Sequence, residues 1–373
     1  MTVLRPQLLP LLFVAACAAA PEAQQPLVPP KPFAITAGKP VEGIAEETHL
    51  RNLRQLTFGG ENAEAYWSND GTKLIFQRRD DPSQADQIYI LDLATGDRHL
   101  VSTGKGRTTC SYFLKGDQRI LFGSTHHHGD APPVVKLTGR GYQWVVYQEY
   151  DVFTAKLDGS DLRPITDAKG YDAEATVCPV TGAIVFTSVR DGDLELYTME
   201  PDGSNVKRVT NRPGYDGGAF FSHDGSKFVL RSAFPKDAAE AAEDAQLLGQ
   251  QIVRPSHMEI TVCKRDGSDF RQVTDNGAAN FAPFWLPDDK RILFASNMRG
   301  IEEMQKTGNH AAARNFDLFL INEDGTGLEQ VTHYPEFDSF PMFSPDGRFL
   351  AFASNRHGGK PGETNIFVAE WID

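Results

Sequence analysis

The chain has 373 residues, 40% of them hydrophobic, with 33 Gly, 23 Pro and a formal net charge of −13. That apolar content is enough for a core, and the Gly and Pro count favours a turn-rich protein over a helical one. The acidic balance, with no compensating basic tract, argues against nucleic acid or an anionic membrane surface as the main partner.

Residues 1–16 read as an export signal: Arg5 is the only early charge, and Leu8 to Ala16 is apolar with small residues at its end. The stretch is too short for a membrane span, and no later segment is long or apolar enough to be one. Val14-Ala15-Ala16-Cys17 resembles the bacterial lipobox, which implies acylation of Cys17, export to the periplasm and a lipid anchor in the outer membrane. Ordinary cleavage after one of the alanines is the alternative. Residues 17–45, rich in Ala, Pro and Gln and without periodicity, read as a flexible tether behind the lipidated Cys17. Cys110, Cys178 and Cys263 are odd in number and fit no zinc spacing, so buried, unpaired thiols are expected.

From residue 46 to 373 one pattern repeats. An apolar strand reaches a tight turn, and a second strand of β-branched and aromatic residues follows. After a variable segment come a third strand, an Asp-Gly turn and a short tail. The first turns are Asn69-Asp70-Gly71, Lys115-Gly116-Asp117, Val180-Thr181-Gly182, His223-Asp224-Gly225, Pro287-Asp288-Asp289 and Pro345-Asp346-Gly347. The second strands include Leu74-Ile75-Phe76, Ile120-Leu121-Phe122, Ile184-Val185-Phe186 and Ile292-Leu293-Phe294. Six units of four short antiparallel strands predict an all-β, six-bladed β-propeller.

The tail reads Leu162-Arg163-Pro164-Ile165-Thr166, Val206-Lys207-Arg208-Val209-Thr210, Phe270-Arg271-Gln272-Val273-Thr274 and Leu328-Glu329-Gln330-Val331-Thr332. A fifth copy, Leu53-Arg54-Gln55-Leu56-Thr57, follows no turn, while the last unit, ending at Trp371, has no tail. A ring closed by an N-terminal strand at about 47–58, completing the last blade, explains both.

Turns such as Ser344-Pro345-Asp346-Gly347, followed by Ala353-Ser354-Asn355-Arg356 and by Asp-Gly-Ser/Thr, resemble the repeats of TolB-type β-propellers over about residues 47–373. The resemblance implies the fold; it is weak evidence for activity. TolB carries an α/β domain before its propeller, where this sequence offers only the tether, so partnership with the Tol–Pal system does not carry over. Related propellers also precede serine-peptidase domains, but the sequence has no Gly-x-Ser-x-Gly elbow.

Hairpins joining strands one to two and three to four share one face of such a disc. The long insertions, residues 124–149, 233–257 and 298–315, all fall on the opposite face, where loops commonly build binding sites. Inner strands begin on that face with a polar column: Asn62, Thr108, Asp172, Asp216, Asn280 and Asp338. Two residues on, the column reads Glu64, Cys110, Glu174, Gly218, Ala282 and Phe340, breaking symmetry toward units one and three. A carboxylate-lined mouth for a cation, sugar or amine is the functional reading. Side-chain capping of the blade-to-blade turns explains the recurrence of the first column better.

His126, His127, His128, His257, His310, His333 and His357 gather on the insertion face. With neighbouring carboxylates, His126–His128 and His257 are candidate ligands for a divalent metal, the one cofactor in view, although three consecutive histidines chelate poorly. Tyr142, Trp144, Tyr147 and Tyr150 would stack on a ligand or plug the loop onto the disc. Ala238 to Ile252 reads as a short amphipathic helix ended by Arg254-Pro255. Arg140, Arg254, Arg299, Arg314 and Arg356 would grip an acidic ligand or pair with these acids.

The leading expectation is a non-catalytic binding or scaffold protein of the cell envelope, receiving a peptide, glycan or protein at the loop-rich mouth. The alternative is a metal-assisted lyase or hydrolase on a carbohydrate, with Glu64 or Glu174 as base; resemblance to oligogalacturonide lyases, which use a related propeller, implies it. A structural module of a larger envelope complex is the third.

Overall fold

A computed structural model describes residues 33–139 and 141–373; Cys17 and Arg140 lie outside the described residues. Six antiparallel sheets form the blades of a propeller. Their inner strands, which number the blades one to six, are Glu61–Trp67, Thr108–Phe113, Asp172–Val177, Asp216–Phe221, Asn280–Trp285 and Asp338–Phe343. Each packs against the inner strands of both neighbouring blades, blade six against blade one included, which closes the circle. The second strands supply the core: Phe76, Phe122, Phe186, Phe294 and Phe352 are 0% exposed, each burial contributing about 1.5–3 kcal/mol.

Blade six is Asp338–Phe343, Phe349–Ser354 and Asn365–Trp371, completed by Leu50–Gln55 from the N-terminal end of the chain. The tail threonines show why that strand fits. Oγ1 of Thr166, Thr210, Thr274 and Thr332 accepts the N–H of Val152, Leu196, Ile260 and Leu318 at 2.8, 2.9, 2.8 and 2.8 Å, each partner 14 residues upstream. Ser102 does the same for Ile88 in blade one at 2.9 Å. Thr57 accepts the N–H of Ile366 at 2.8 Å across 309 residues. One hydroxyl per blade thus satisfies a buried third-strand N–H, and the displaced tail brings the sixth.

The stretch read as a tether reaches the disc at Phe33. The Phe33 ring packs 5.8 Å from Trp67 and 5.6 Å from Phe349, and Lys39–Pro40 adds a fifth strand outside Leu50–Gln55. The Arg54 guanidinium donates to the carbonyls of Thr36, Ala37 and Gly38. A few apolar residues within a Pro- and Ala-rich composition are enough to dock this segment, and composition alone hides them. Cys110, Cys178 and Cys263 are free, the latter two buried.

The insertions do cluster on one face. That of blade four carries helix α1, Ala238–Leu248, capped by the Asp237 carboxylate accepting from the Glu240 N–H and burying no residue. Beyond it, Ile252–Val253 pairs antiparallel with Trp144–Val145 from the blade-two insertion. Two loops that are distant in sequence therefore brace one another across the mouth.

Candidate functional site

The first polar column is a set of interblade caps. Asn62, Thr108, Asp172, Asp216, Asn280 and Asp338 are all 0–1% exposed. Asn62 donates to the Thr364 carbonyl at 2.7 Å and Thr108 to that of Asp86 at 2.8 Å. Asn280 donates to the Met258 carbonyl at 2.8 Å. Asp172 accepts both contacts of Arg190 at 3.0 and 3.1 Å; Asp216 pairs with Arg212 and Asp338 with Arg356, each at 2.8 Å. Asn62, Asp172, Asp216, Asn280 and Asp338 are thus buried inside the joints and offer no surface to a ligand at the mouth. Burying polar groups between blades requires such partners.

The second column is different. Each inner strand carries a register shift there. The bulged residue is left-handed in every blade: Glu64 at φ 53°, Cys110 at 43°, Glu174 at 56°, Gly218 at 59°, Ala282 at 46° and Phe340 at 56°. A bulge re-aims its side chain, and six in a ring direct this column toward the axis. The backbone is six-fold; the side chains are polar on blades one to three and small or apolar on four to six.

Two residues further along, aromatic rings close the channel. Tyr66 of blade one lies 5.7 Å from Phe220 of blade four, directly across the axis, and Tyr112 and Phe284 extend the layer. The bulge ring thus lies between this aromatic layer and the insertions, at the floor of an axial cup covered in part by Trp144. Trp144 crosses from blade two to the opposite blade five, 4.7 Å from Phe281, and forms part of the roof.

Inside the cup, Glu174 pairs with the Arg231 guanidinium. Its second oxygen accepts the Tyr215 hydroxyl at 2.6 Å, and Arg231 also donates to that hydroxyl at 2.7 Å. Trp144 and Tyr215 flank the guanidinium at 5.2 and 5.3 Å. Two glycines make room: a Cβ at Gly217 would fall 2.8 Å from the Glu174 carboxylate, and one at Gly218 would fall 2.3 Å from Arg231 Nη1. Arg231 lies opposite Gly217 in the second strand, where the other blades carry Gln77, Gly123, Thr187, Ala295 and Ala353. Comparing that column for charge would have found it; the inner-strand column alone does not.

Among the described residues, Glu64 has no cation in contact. Its contacts are the Tyr66 hydroxyl at 3.4 Å and the Cys110 thiol. Burial raises its pKa; the Glu174 charge adds to this, while the Cys110 hydrogen bond and Arg231 oppose it. Burial, with the charges of Glu64 and Glu174, pushes Cys110 well above the ordinary thiol range. Cys110 is therefore a thiol, the reverse of an activated nucleophile. Among the described residues, two carboxylates, Glu64 and Glu174, share this aromatic-walled region with one guanidinium.

The histidines form no such centre. The His126 and His127 rings pack on Phe153, 4.4 and 4.6 Å away, and His126 Nδ1 is 2.8 Å from the Ser124 hydroxyl. Burial beside His127 lowers the His126 pKa to about 4. His128 sits 3.5 Å from Asp151, and His257 is exposed on the blade-four insertion. Among the described residues no group of three or more His, Cys, Asp or Glu side chains is placed to hold a metal ion, so His126, His127, His128 and His257 do not assemble the expected centre. Arg254 pairs with Glu243 and Asp244 of α1 at 2.9 and 2.6 Å, tying down the helix rather than facing the cup. Arg356 is likewise consumed in a joint.

No family model matches the chain. A TolB homologue of Chlorobium luteolum is 28% identical over 144 residues, 30% of this chain and 33% of that protein. Dipeptidyl-peptidase 5 of Porphyromonas gingivalis is 29% identical over 248 residues, 59% of this chain and 35% of the peptidase. The chain thus spans about a third of the length of these relatives. TolB from Acinetobacter baumannii superposes with a TM-score of 0.51 at 17% identity, covering 74% of this chain and 55% of that one, a likeness of fold. With six four-stranded blades and a strand-closed ring, the chain is a six-bladed β-propeller whose repeats are similar to those of TolB.

Proposed function

We propose that this chain is an exported, lipid-anchored binding or scaffold protein of the cell envelope, whose protein partner inserts a peptide segment into the cup. The observation that carries the reading is the bulge ring. Six equivalent backbone positions aim at the axis, and only blades one to three place acids or a thiol there, beneath insertions that brace each other over the mouth. Glu64, a second carboxylate beside the Glu174–Arg231 pair, would accept an ammonium or guanidinium on the inserted segment, with Tyr and Trp rings around it. The export signal and Cys17 lipobox, together with relatives named for the Tol–Pal system, support the envelope location.

The test is affinity purification of the tagged, full-length chain from mildly cross-linked cells. A partner protein is expected with the wild type and a loss of about tenfold or more with Glu64→Lys, which places a cation where one is to be received. A wild type that retains no partner overturns the reading. Cys17→Ala is expected to shift the chain from the membrane to the soluble fraction; unchanged partition removes the anchor.

A further inference from the structure

The start of each third strand packs against the start of the next blade's inner strand. Three of these joints set acid against acid. Between blades two and three, Asp151 and Asp172 have His128 and Arg190 beside them. Between three and four, Glu195 and Asp216 have a guanidinium each, Arg208 and Arg212, both at 2.8 Å. The joint between blades five and six lacks this balance. Arg356 alone serves both Asp338 and Glu47, donating to each at 2.8 Å. Asp317, the third carboxylate, has no cation in contact among the described residues. Its Oδ2 meets the Asn315 amide at 3.4 Å, and its Oδ1 has no partner among the described residues; one oxygen each of Asp338, Glu195 and Asp216 is likewise without one, but each of those carboxylates has a guanidinium in contact. All four charged side chains are 0–3% exposed.

The place matters as much as the imbalance. Glu47 stands just before the closing strand Leu50–Gln55, accepts the His333 N–H at 3.0 Å from the link between blades five and six, and so fixes that strand's entry. Three buried carboxylates cannot all ionise beside one guanidinium, because the extra charges repel in a poorly solvated joint. A metal ion is not the natural third party, since no group of side chains there is placed to ligate one.

We propose that this joint is a proton-operated latch on ring closure: Asp317 holds a proton in the tightly closed ring, and its ionisation loosens the Glu47–Arg356–Asp338 clamp and with it the N-terminal strand. Asp317 is pushed up to about 7, first by burial, then by the charges of Asp338 and Glu47, against the opposing pull of Arg299 from the blade-five insertion and Arg356. Tyr334 lies over Arg356 at 5.5 Å, and Glu336 of the same link bears on Tyr334 and accepts from the Asn355 amide. Because the folded pKa is raised above the ordinary carboxylate value, the closed ring binds more protons than the open one. Closure is then strongest at acid pH and weakens as pH rises through about 7.

The experiment is hydrogen exchange of the intact mature protein at pH 5.5 and 8, corrected for intrinsic exchange, reading the amides of Leu53 to Gln55. Protection is expected to fall about tenfold or more toward pH 8 in the wild type. In Asp317→Asn it is expected to stay high at both values, whereas Asp216→Asn leaves the wild-type dependence of this strand in place. Protection that does not change with pH, or that changes equally in Asp317→Asn, overturns the latch. Carboxyl-carbon NMR of the wild type gives a second reading free of folding risk: a midpoint for Asp317 near 7 is expected, and one near 4 overturns it.

Discussion

Replacing Thr57 by Val tests the closing strand at a single atom. Thr57 is 1% exposed; its hydroxyl accepts the Ile366 N–H at 2.8 Å and donates to Asn365 Oδ1 at 3.2 Å. Valine has nearly the same volume, so no cavity arises and the cost is polar. An orphaned buried N–H costs about 1–3 kcal/mol and the lost donor bond about 0.5–1.5 kcal/mol, together roughly 2–4 kcal/mol. Urea unfolding should show a lower midpoint with an unchanged slope. Thr210→Val, which removes the equivalent bond to Leu196 inside a covalently continuous blade, should lose a similar amount. If Thr210→Val loses stability and Thr57→Val does not, residues 50–57 do not close the ring.

Gly218→Ala should destabilise by about 1–2 kcal/mol or more, since φ is +59° and the new methyl meets Arg231; a thermal midpoint equal to the wild type would contradict the packing of the cup. Cys110 should react slowly with a disulfide reagent at pH 8, and Glu64→Gln should speed it by removing a charge that holds the thiol protonated; an unchanged rate separates the two residues. A chain beginning at residue 46, lacking the Phe33 and Lys39–Pro40 contacts, should unfold at lower temperature than one beginning at residue 33. Equal midpoints would leave the arm without a structural role.

The repeat was readable because each tail has a physical duty that only a few residue types perform. A hydroxyl must meet the third-strand N–H, so Thr recurs at Thr57, Thr166, Thr210, Thr274 and Thr332 whatever surrounds it. The Asp-Gly turns obey the same logic through positive φ, as at Gly203 and Gly267. The site was half legible. Aligning units isolated Glu64 and Glu174 as departures from symmetry, but nothing local announces that their backbone is left-handed, since Glu has no preference for that region. The first polar column looked the same from sequence whether it capped joints or lined a mouth; only burial separates the two. Arg231, Tyr215 and Trp144 come together through pairing between strands and insertions far apart in sequence, which no periodicity encodes. The histidine cluster misled because sharing a face is a weaker condition than converging on a point.

The central claim, that a partner enters the cup beneath the insertions, is tested most directly by site-specific photo-crosslinking in living cells. A photoreactive residue at Tyr142, half exposed on the rim and hydrogen-bonded to Trp144 at 2.9 Å, should yield a discrete adduct. The same residue at exposed Gln118 on the hairpin face should yield none. Adducts from position 118 and not from 142 would place the partner on the opposite face and contradict the account.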